Sequence, residues 1–277
     1  MKRPTRRQFL QSAAALAGGI FIADAALEAR GLVITRYDVP SPTLPPALDG
    51  MRIAHLTDLH LPCAAADRAA EVIGAEGVDL VVITGDTISR RKQLHLVTPY
   101  VARVRGRFGT YAVRGNNDHW ARVPLPTLSS AYAAAGATLL ENANAVVPFN
   151  HSALQLVGLD DPGVGHPDIA AAWRGADREL PTLWLMHGPG FIDRIDRQTL
   201  QLPPALLVLA GHTHGGQIRG PGCTPVVPRG SGRFRQGWYD AALGRVYISR
   251  GIGTSVVPLR FLCPPELPIF TLRRRAW

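Results

Sequence analysis

Lysine is almost absent from this chain. Lys2 and Lys92 are the only two in 277 residues, so arginine carries nearly all of a net charge of +9. An arginine excess favours anionic partners such as phosphorylated substrates, nucleic acid or an acidic membrane surface. The planar guanidinium also suits phosphate better than an ammonium does. A GC-rich genome produces the same bias everywhere, so charge alone selects no function. Cysteine is scarce as well. Cys63, Cys223 and Cys263 are too few for a disulfide framework and fit no zinc ribbon, which leaves one bridge and one free thiol open with no pair singled out. No apolar run approaches the ~20 residues of a spanning helix. What is present is a 46% hydrophobic content, enough to bury a large core in one α/β domain.

The first thirty residues read as an address. MKRPTRRQFL holds four basic residues and no acidic one; an apolar stretch from Ser12 to Ile22 follows, then the small-x-small triplet Ala23-Asp24-Ala25. A basic start, a short apolar stretch and such a triplet make a secretory signal. Arg6-Arg7, followed by Gln8-Phe9-Leu10, resembles the twin-arginine signal, whose export machinery carries folded proteins and is an expected partner. Cleavage after Ala25 would lower the net charge to +6. The expected location is the periplasm or the outer face of the cytoplasmic membrane, with residues 1–30 as signal and lead-in and 31–277 as the functional domain.

From Gly31 onward no linker or repeat divides the chain, and Pro40 to Pro46 mark an extended lead-in. Short apolar runs predict strands at Arg52–Leu56, Leu80–Ile83, Thr110–Val113, Leu154–Leu159, Leu183–Met186, Leu206–Leu209, Val246–Ser249 and Ile269–Leu272. Helices are predicted at Ala64–Glu76, Leu94–Arg105, Leu125–Ala135 and near Phe191–Asp196. Unbroken runs such as LVVIT and ALLVLA fit strands buried on both faces. Gly220 to Gly237 reads as a long irregular loop near the site.

The chemistry lies at the ends of these strands. Asp58-Leu59-His60, Gly85-Asp86, Gly115-Asn116-Asn117-Asp118, His187-Gly188 and Gly211-His212-Thr213-His214 each follow an apolar run. In α/β sheets the carboxyl ends of strands are where ligands bind. In extended chain, Asp58 and His60 point to one side, as do His212 and His214. Seven ligands result: Asp58, His60, Asp86, Asn116, His187, His212 and His214. Mixed carboxylate and imidazole donors suit Zn, Fe or Mn. Seven are too many for one ion; two ions about 3.5–4 Å apart, sharing a carboxylate, form the arrangement used for displacement at phosphorus.

In these residues the sequence resembles the calcineurin-like metallophosphoesterase superfamily. GHTHGGQ at Gly211–Gln217, SRGIGTS at Ser249–Ser255 and PLRFLCPPEL at Pro258–Leu267 are similar to its bacterial twin-arginine-exported or membrane-associated branch. The resemblance covers Met51 to Leu272 and implies a four-layer αββα sandwich. It implies one di- or trivalent metal (Mn, Zn or Fe) on Asp58, His60, Asp86 and His214, and a second on Asp86, Asn116, His187 and His212, with Asp86 bridging opposite a hydroxide. Asn117 and Asp118 are the implied catalytic positions, and Arg114 and His119 candidate substrate contacts. Family members often carry histidine where Asn117 stands. An amide cannot transfer a proton at neutral pH, which favours phosphodiester or pyrophosphate linkages over monoesters. Phosphorylated small molecules, lipid-linked substrates or nucleotide-sugar envelope precursors follow from the same analogy. Monoester hydrolysis on the same site and a non-catalytic scaffold are the rival readings.

His55 reads as core, and His95, His151 and His166 as solvated. Arg219, Arg229, Arg233 and Arg235 are candidate phosphate clamps or a solvated loop. Trp120 and Trp238 read as packing residues ahead of stacking platforms. No nucleic-acid motif accompanies the charge, so none is expected as a partner. Arg273-Arg274-Arg275 fits a peripheral contact with an anionic bilayer, at about 1 kcal/mol per arginine. The export reading has a direct check: an Arg6→Lys, Arg7→Lys double variant is expected to stay in the cytoplasm. Normal export in a fractionation assay would remove the twin-arginine assignment.

Overall fold

The five residues LVVIT at Leu80–Thr84 are buried on both faces, which requires neighbours on each side of the strand and a covering layer above and below. The computed structural model, which describes residues 5–224 and 226–275, supplies both. Strands β1–β5 are Val33–Pro40, Arg52–Leu56, Leu80–Thr84, Thr110–Val113 and Thr138–Leu139. Strands β6–β11 are Ala143–Phe149, Ser152–Gly158, Thr182–Leu185, Ala205–Ala210, Gly237–Ala241 and Gly244–Ile248, and β12 is Glu266–Arg273. Helices α1–α6 are Arg6–Glu28, Ala64–Glu76, Val97–Val101, Asn116–Trp120, Leu125–Ala134 and Ile169–Ala172.

The strands form two six-stranded sheets, in the orders β1-β12-β2-β3-β4-β5 and β10-β11-β9-β8-β7-β6. β2 to β5 run parallel, as do β7, β8, β9 and β11. Alternation along each strand sorts its side chains. Leu80, Val82, Leu183, Leu185, Leu207 and Leu209 meet between the sheets. Val81 and Ile83 face the other way, onto the alanine-rich side of α2. Trp184 and Val208 pack outward against Trp173 and Phe234. The result is the four-layer α/β sandwich, with an outer layer over the second sheet made only of short pieces: α6 and a 3-10 turn at Pro189–Arg194.

Two predicted helices differ from the structure. The span Leu94–Arg105 divides into a 3-10 segment, Arg91–Leu96, and the five-residue α3. Pro99 explains the division, because a proline without an N–H is tolerated only in the first turn of a helix. The Phe191–Asp196 helix is the 3-10 turn that begins at Pro189. By contrast α2 occupies its predicted span and ends at Gly77, whose φ of 60° provides a left-handed cap. β1 lies just ahead of the Pro40 to Pro46 lead-in, where the sequence predicts no strand, and pairs along its whole length with β12.

The last turns of α1 pack onto the domain. Ala25 is buried, and its carbonyl accepts from Arg260 N at 3.0 Å. Glu28 accepts from the backbone N–H groups of Leu262 and Cys263, and the Phe21 and Phe261 rings lie 4.7 Å apart. The small-x-small triplet is therefore helical and partly engaged. Among the described residues no helix is long and apolar enough to cross a membrane. At the far end, Arg273 and Arg275 both pair with Asp38. Asp38 offsets one of the triplet's three charges, and the side chains of Arg273 and Arg275 stay at the surface. All three cysteines are free thiols.

His55 on β2 is wholly buried, with Nε2 2.7 Å from Thr84 Oγ1. Burial pushes its pKa down to about 3, against a smaller pull upward from Asp58. The unfolded chain therefore takes up this proton near pH 6.5 while the folded chain does not. The stability that His55 contributes is present above pH 6.5 and is lost as pH falls towards 3, by up to about 1.4 kcal/mol per unit. In urea denaturation, the stability difference between the native chain and His55→Phe is expected to shift by about 2 kcal/mol between pH 6.5 and 4.5. A constant difference would show that this ionisation is not linked to folding.

Candidate metal centre

The site lies where the two sheets end together. The first sheet sends out Asp58 and His60 after β2, Asp86 after β3, and Asn116 after β4; the second sends His187 after β8, and His212 and His214 after β9. The backbone there departs from the extended geometry that the sequence suggests. Asp58, His60, Asp86, His212 and His214 all have positive φ, between 45° and 70°. Left-handed turns, not strand alternation, bring Asp58 together with His60, and His212 with His214. Such conformations cost about 1–3 kcal/mol each and persist only where the surroundings enforce them. Five in one site, against a typical total stability of about 5–15 kcal/mol, mark a place where geometry outranks stability.

Two glycines permit the close packing. A Cβ at Gly115 would overlap the carboxylate of Asp86, and one at Gly211 would overlap Thr57 Oγ1 and Asp58 Oδ2. Neither glycine is among the positive-φ residues. Their role is close approach and not a left-handed turn.

The imidazoles are set as ligands. His187 Nδ1 donates to Thr84 O at 2.8 Å, and His212 Nε2 donates to Arg229 O at 2.7 Å. Their other nitrogens therefore point inward, where a neutral ring offers a lone pair, as a ligating histidine does when its second nitrogen is held by a carbonyl. Asn116 Oδ1 stands 3.0 Å from His187 Nε2 and 2.8 Å from His212 Nδ1, with Asp86 Oδ2 3.3 Å from His187 Nε2. Four potential ligand atoms thus face one point. Beside them His60 Nε2 and His214 Nε2 are 3.2 Å apart, and Asp58 Oδ1 is 3.3 Å from His214 Nε2. Asp58 Oδ1 is buried and accepts no hydrogen bond. Asp58, His60 and His214 form one cluster with metal-ligand spacing, and Asp58, Asp86 and His187 a second. The donor set fits bound cations.

The electrostatics carry the same demand. Burial alone would raise Asp58, but His214 and His187 hold its pKa below the ordinary carboxylate range. Asp86 likewise overcomes its burial, chiefly through the charge and hydrogen bond of His187. Burial would lower His187, yet Asp86 draws its pKa well above the usual imidazole value. His212 and His214 go the other way: burial lowers both, His214 to about 3. Two buried anions thus call for positive charge at their centre, and in the bare chain only His187 supplies it.

Above the ligands opens a cleft of about 870 Å3, floored by Asp86, Asn116, Asn117, His212 and His214. Asn117 lines it, but its side-chain amide donates to Asp86 Oδ2 at 2.6 Å and its backbone N–H to Oδ1 at 2.7 Å. Asp118 is buried beneath, accepting from Gly115 N and Ile88 N at 3.0 and 3.1 Å, with its pKa pushed up to about 6 by burial and by Asp86. It braces the loop and does not line the cleft. Arg114 and His119 do not line it either. Arg114 is bound to Glu141, and His119 sits 2.6 Å from Asp160. This corrects their expected place as substrate contacts. Of the loop arginines, Arg229 lines the cleft, while Arg233 pairs with Asp193. Trp238 packs among Tyr37, Tyr247 and Phe270 as expected; Trp120 is 61% exposed on the cleft rim, which is not a packing position. Sequence reasoning also assigned nothing to Gln217, although it closes the GHTHGGQ motif. Its side chain bridges to the loop around Ser255.

A two-sheet sandwich with buried carboxylates and imidazoles at its strand ends defines a metal-binding hydrolase-type site. The calcineurin-like phosphoesterase superfamily domain matches residues 51–237, and the chain belongs to that superfamily. It is 31% identical to the uncharacterised metallophosphoesterase YkuE of Bacillus subtilis (strain 168), over 99% of both chains. It is 29% identical to an uncharacterised metallophosphoesterase of Aquifex aeolicus (strain VF5), covering 89% of this chain and 94% of the other. It is 28% identical to the phosphodiesterase YaeI of Escherichia coli (strain K12), covering 80% and 82% respectively.

The packing around Gly211 generates a test. Gly211→Ala is expected to cost about 1–3 kcal/mol of stability through overpacking and to displace Asp58, lowering the Mn or Zn retained per chain after dialysis. Undiminished metal content in a destabilised variant would show that Asp58 is not a ligand.

Proposed function

We propose that this chain is a metal-dependent hydrolase that cleaves phosphodiester or pyrophosphate linkages outside the cytoplasm. The observation that carries the proposal is the convergence of potential ligand atoms from Asp58, His60, Asp86, Asn116, His187, His212 and His214 at the base of an open cleft, whose floor Asp86, Asn116, His212 and His214 line. Asp58, His60 and His214 would hold one cation, Asn116, His187 and His212 another, with Asp86 between them. Such a pair, Mn, Zn or Fe by the donor chemistry, activates water at neutral pH and screens charge on phosphoryl oxygens.

The chain's own residues then select the substrate. Asn117 fixes Asp86 through both of its donors, so the amide orients the carboxylate between the two ligand clusters. His119, the next imidazole along, is engaged by Asp160. No histidine outside the ligand set lines the cleft among the described residues. A departing oxygen receives no proton from an imidazole, which favours leaving groups of low basicity, such as the phosphate of a pyrophosphate, over a simple alkoxide. The name of the Escherichia coli relative, a phosphodiesterase, supports this choice. Export in folded form is supported by Arg6-Arg7 and the apolar stretch behind them.

The test compares bis-p-nitrophenyl phosphate with p-nitrophenyl phosphate, using Mn-, Zn- or Fe-loaded protein and Asp86→Ala as the blank. Metal-dependent turnover favouring the diester by at least tenfold is expected, with Asn117→His shifting the ratio towards the monoester. A preference for the monoester in the native chain would leave the enzyme class standing and remove the role given to Asn117. No turnover of either substrate with any of the three metals, with the sites found empty by metal analysis, would favour a non-catalytic scaffold.

A further inference from the structure

The cleft has a polar floor and an apolar mouth. Around the opening stand Trp120, Val164, Val226, Val256 and Val257, exposed by 61, 37, 72, 102 and 40%. Apart from the ligand floor, Asp161 and Arg229 are the charged residues lining it among those described. Asp161 is buried and accepts from the backbone of Gly163 and Val164. Apolar side chains dominate this rim, which favours an apolar portion of the ligand there, and exposed apolar surface gathered around an opening marks an interaction site.

Val256 shows that this exposure is enforced. Its φ is 65°, a conformation in which a β-branched residue is an outlier. Gln217 holds it there. The Gln217 amide donates to Ser255 O at 3.0 Å and to Val257 O at 2.9 Å, and its oxygen accepts from Ser255 N at 2.8 Å. Three hydrogen bonds from one side chain thus clamp both sides of Val256 and present it to solvent. The apolar surface continues beyond the cleft. Gln217 O accepts from Phe261 N, Phe261 packs on Phe21 of α1, and the neighbouring Leu262 is 47% exposed. Along α1, Leu16, Ile20, Ile22 and Leu27 are each more than half exposed.

We propose that the cleft mouth is a lipid port. The substrate is a phosphoryl-bearing lipid of the bilayer, its hydrocarbon lying against Trp120, Val164, Val226, Val256 and Val257 while its phosphoryl group reaches the ligand floor. α1 and the rim lie on the same membrane face. Gln217 is a positioning residue that holds the rim loop. The proposal rests on the phosphoesterase reading for its chemistry, but its geometry stands apart from turnover.

The test reads binding first. By calorimetry on metal-loaded full-length protein, octylphosphonate is expected to bind at least tenfold tighter than methylphosphonate. The ratio should fall towards one in Val226→Asp, Val256→Asp, and fall partly in Gln217→Ala, which removes all three hydrogen bonds to the rim loop. Equal affinity for the two phosphonates in the native chain would overturn the port. In a second arm the native protein should sediment with phosphatidylcholine vesicles and the double aspartate variant should not. Octyl preference without sedimentation of the native chain would overturn the bilayer as the source. Turnover of methyl p-nitrophenyl phosphate, blanked with Asp86→Ala, reports separately on the phosphodiesterase reading, so its failure is not confused with failure of the port.

Discussion

Two carboxylates, Asp58 and Asp86, are buried side by side at the junction of two sheets, and much of the site answers to the charge they bring there. Isolated buried anions are prohibitively costly, and a protein that keeps them must neutralise or pair them. Here the pairing is built from four imidazoles and an amide, with the outward nitrogens of His187 and His212 tied to carbonyls so that their inward ones face the ligand cluster. A neutral imidazole offers a lone pair but no charge. The charge must come from elsewhere: in the bare chain from a proton on His187, and in the loaded site from cations. The raised pKa of His187 expresses that demand for positive charge, while burial lowers His212 and His214 and keeps them from meeting it.

Meeting that demand constrains the backbone. Five ligand residues in left-handed conformations need a frame that does not relax, and parallel strands buried on both faces provide one. The strand ends are fixed by ladders on either side, so the short turns beyond them start from fixed points. Gly115 and Gly211 then let the carboxylates lie directly against neighbouring main chain. The rim uses the same device for a different end, where Gln217 enforces a positive φ at Val256. In both places a hydrogen-bonded loop stores backbone strain to hold a side chain where it would not otherwise rest.

Much of this was legible in the sequence because it follows from period and position. Unbroken apolar runs located the buried strands, and the polar residues closing five of them named the ligands in order. Legibility stopped where tertiary contact overrides local pattern. β1 mixes apolar and charged residues with no unbroken apolar run, and its pairing with β12 is what makes it a strand. The spacing of Asp58 and His60 suggested extended chain, but their shared direction comes from positive φ, which spacing does not encode. Arg114 and His119 stood beside the ligands in sequence and were drawn away by Glu141 and Asp160, residues from distant segments. Trp120 ends a helix of five residues, too short for any periodicity to declare which face is exposed.

The arginine excess illustrates the same limit. A charge of +9 suggests a surface made for phosphate, yet the structure engages much of that charge internally. Arg36 and Arg52 share Glu76, Arg103 meets Asp67, Arg114 meets Glu141, Arg233 meets Asp193, and Arg273 and Arg275 share Asp38. Arg260 is wholly buried and donates to the carbonyls of Arg250, Gly253 and Cys263, bracing the loops behind His214. Most of these pairs are exposed and contribute little stability, about 0–1 kcal/mol each, but they keep guanidinium groups away from the cleft. What remains over the ligands is one arginine, Arg229, among valines and a tryptophan. At such an opening the apolar rim and the ligand floor differ in character, so a ligand that spans both is sorted by what is attached to its charged group as well as by the charge itself.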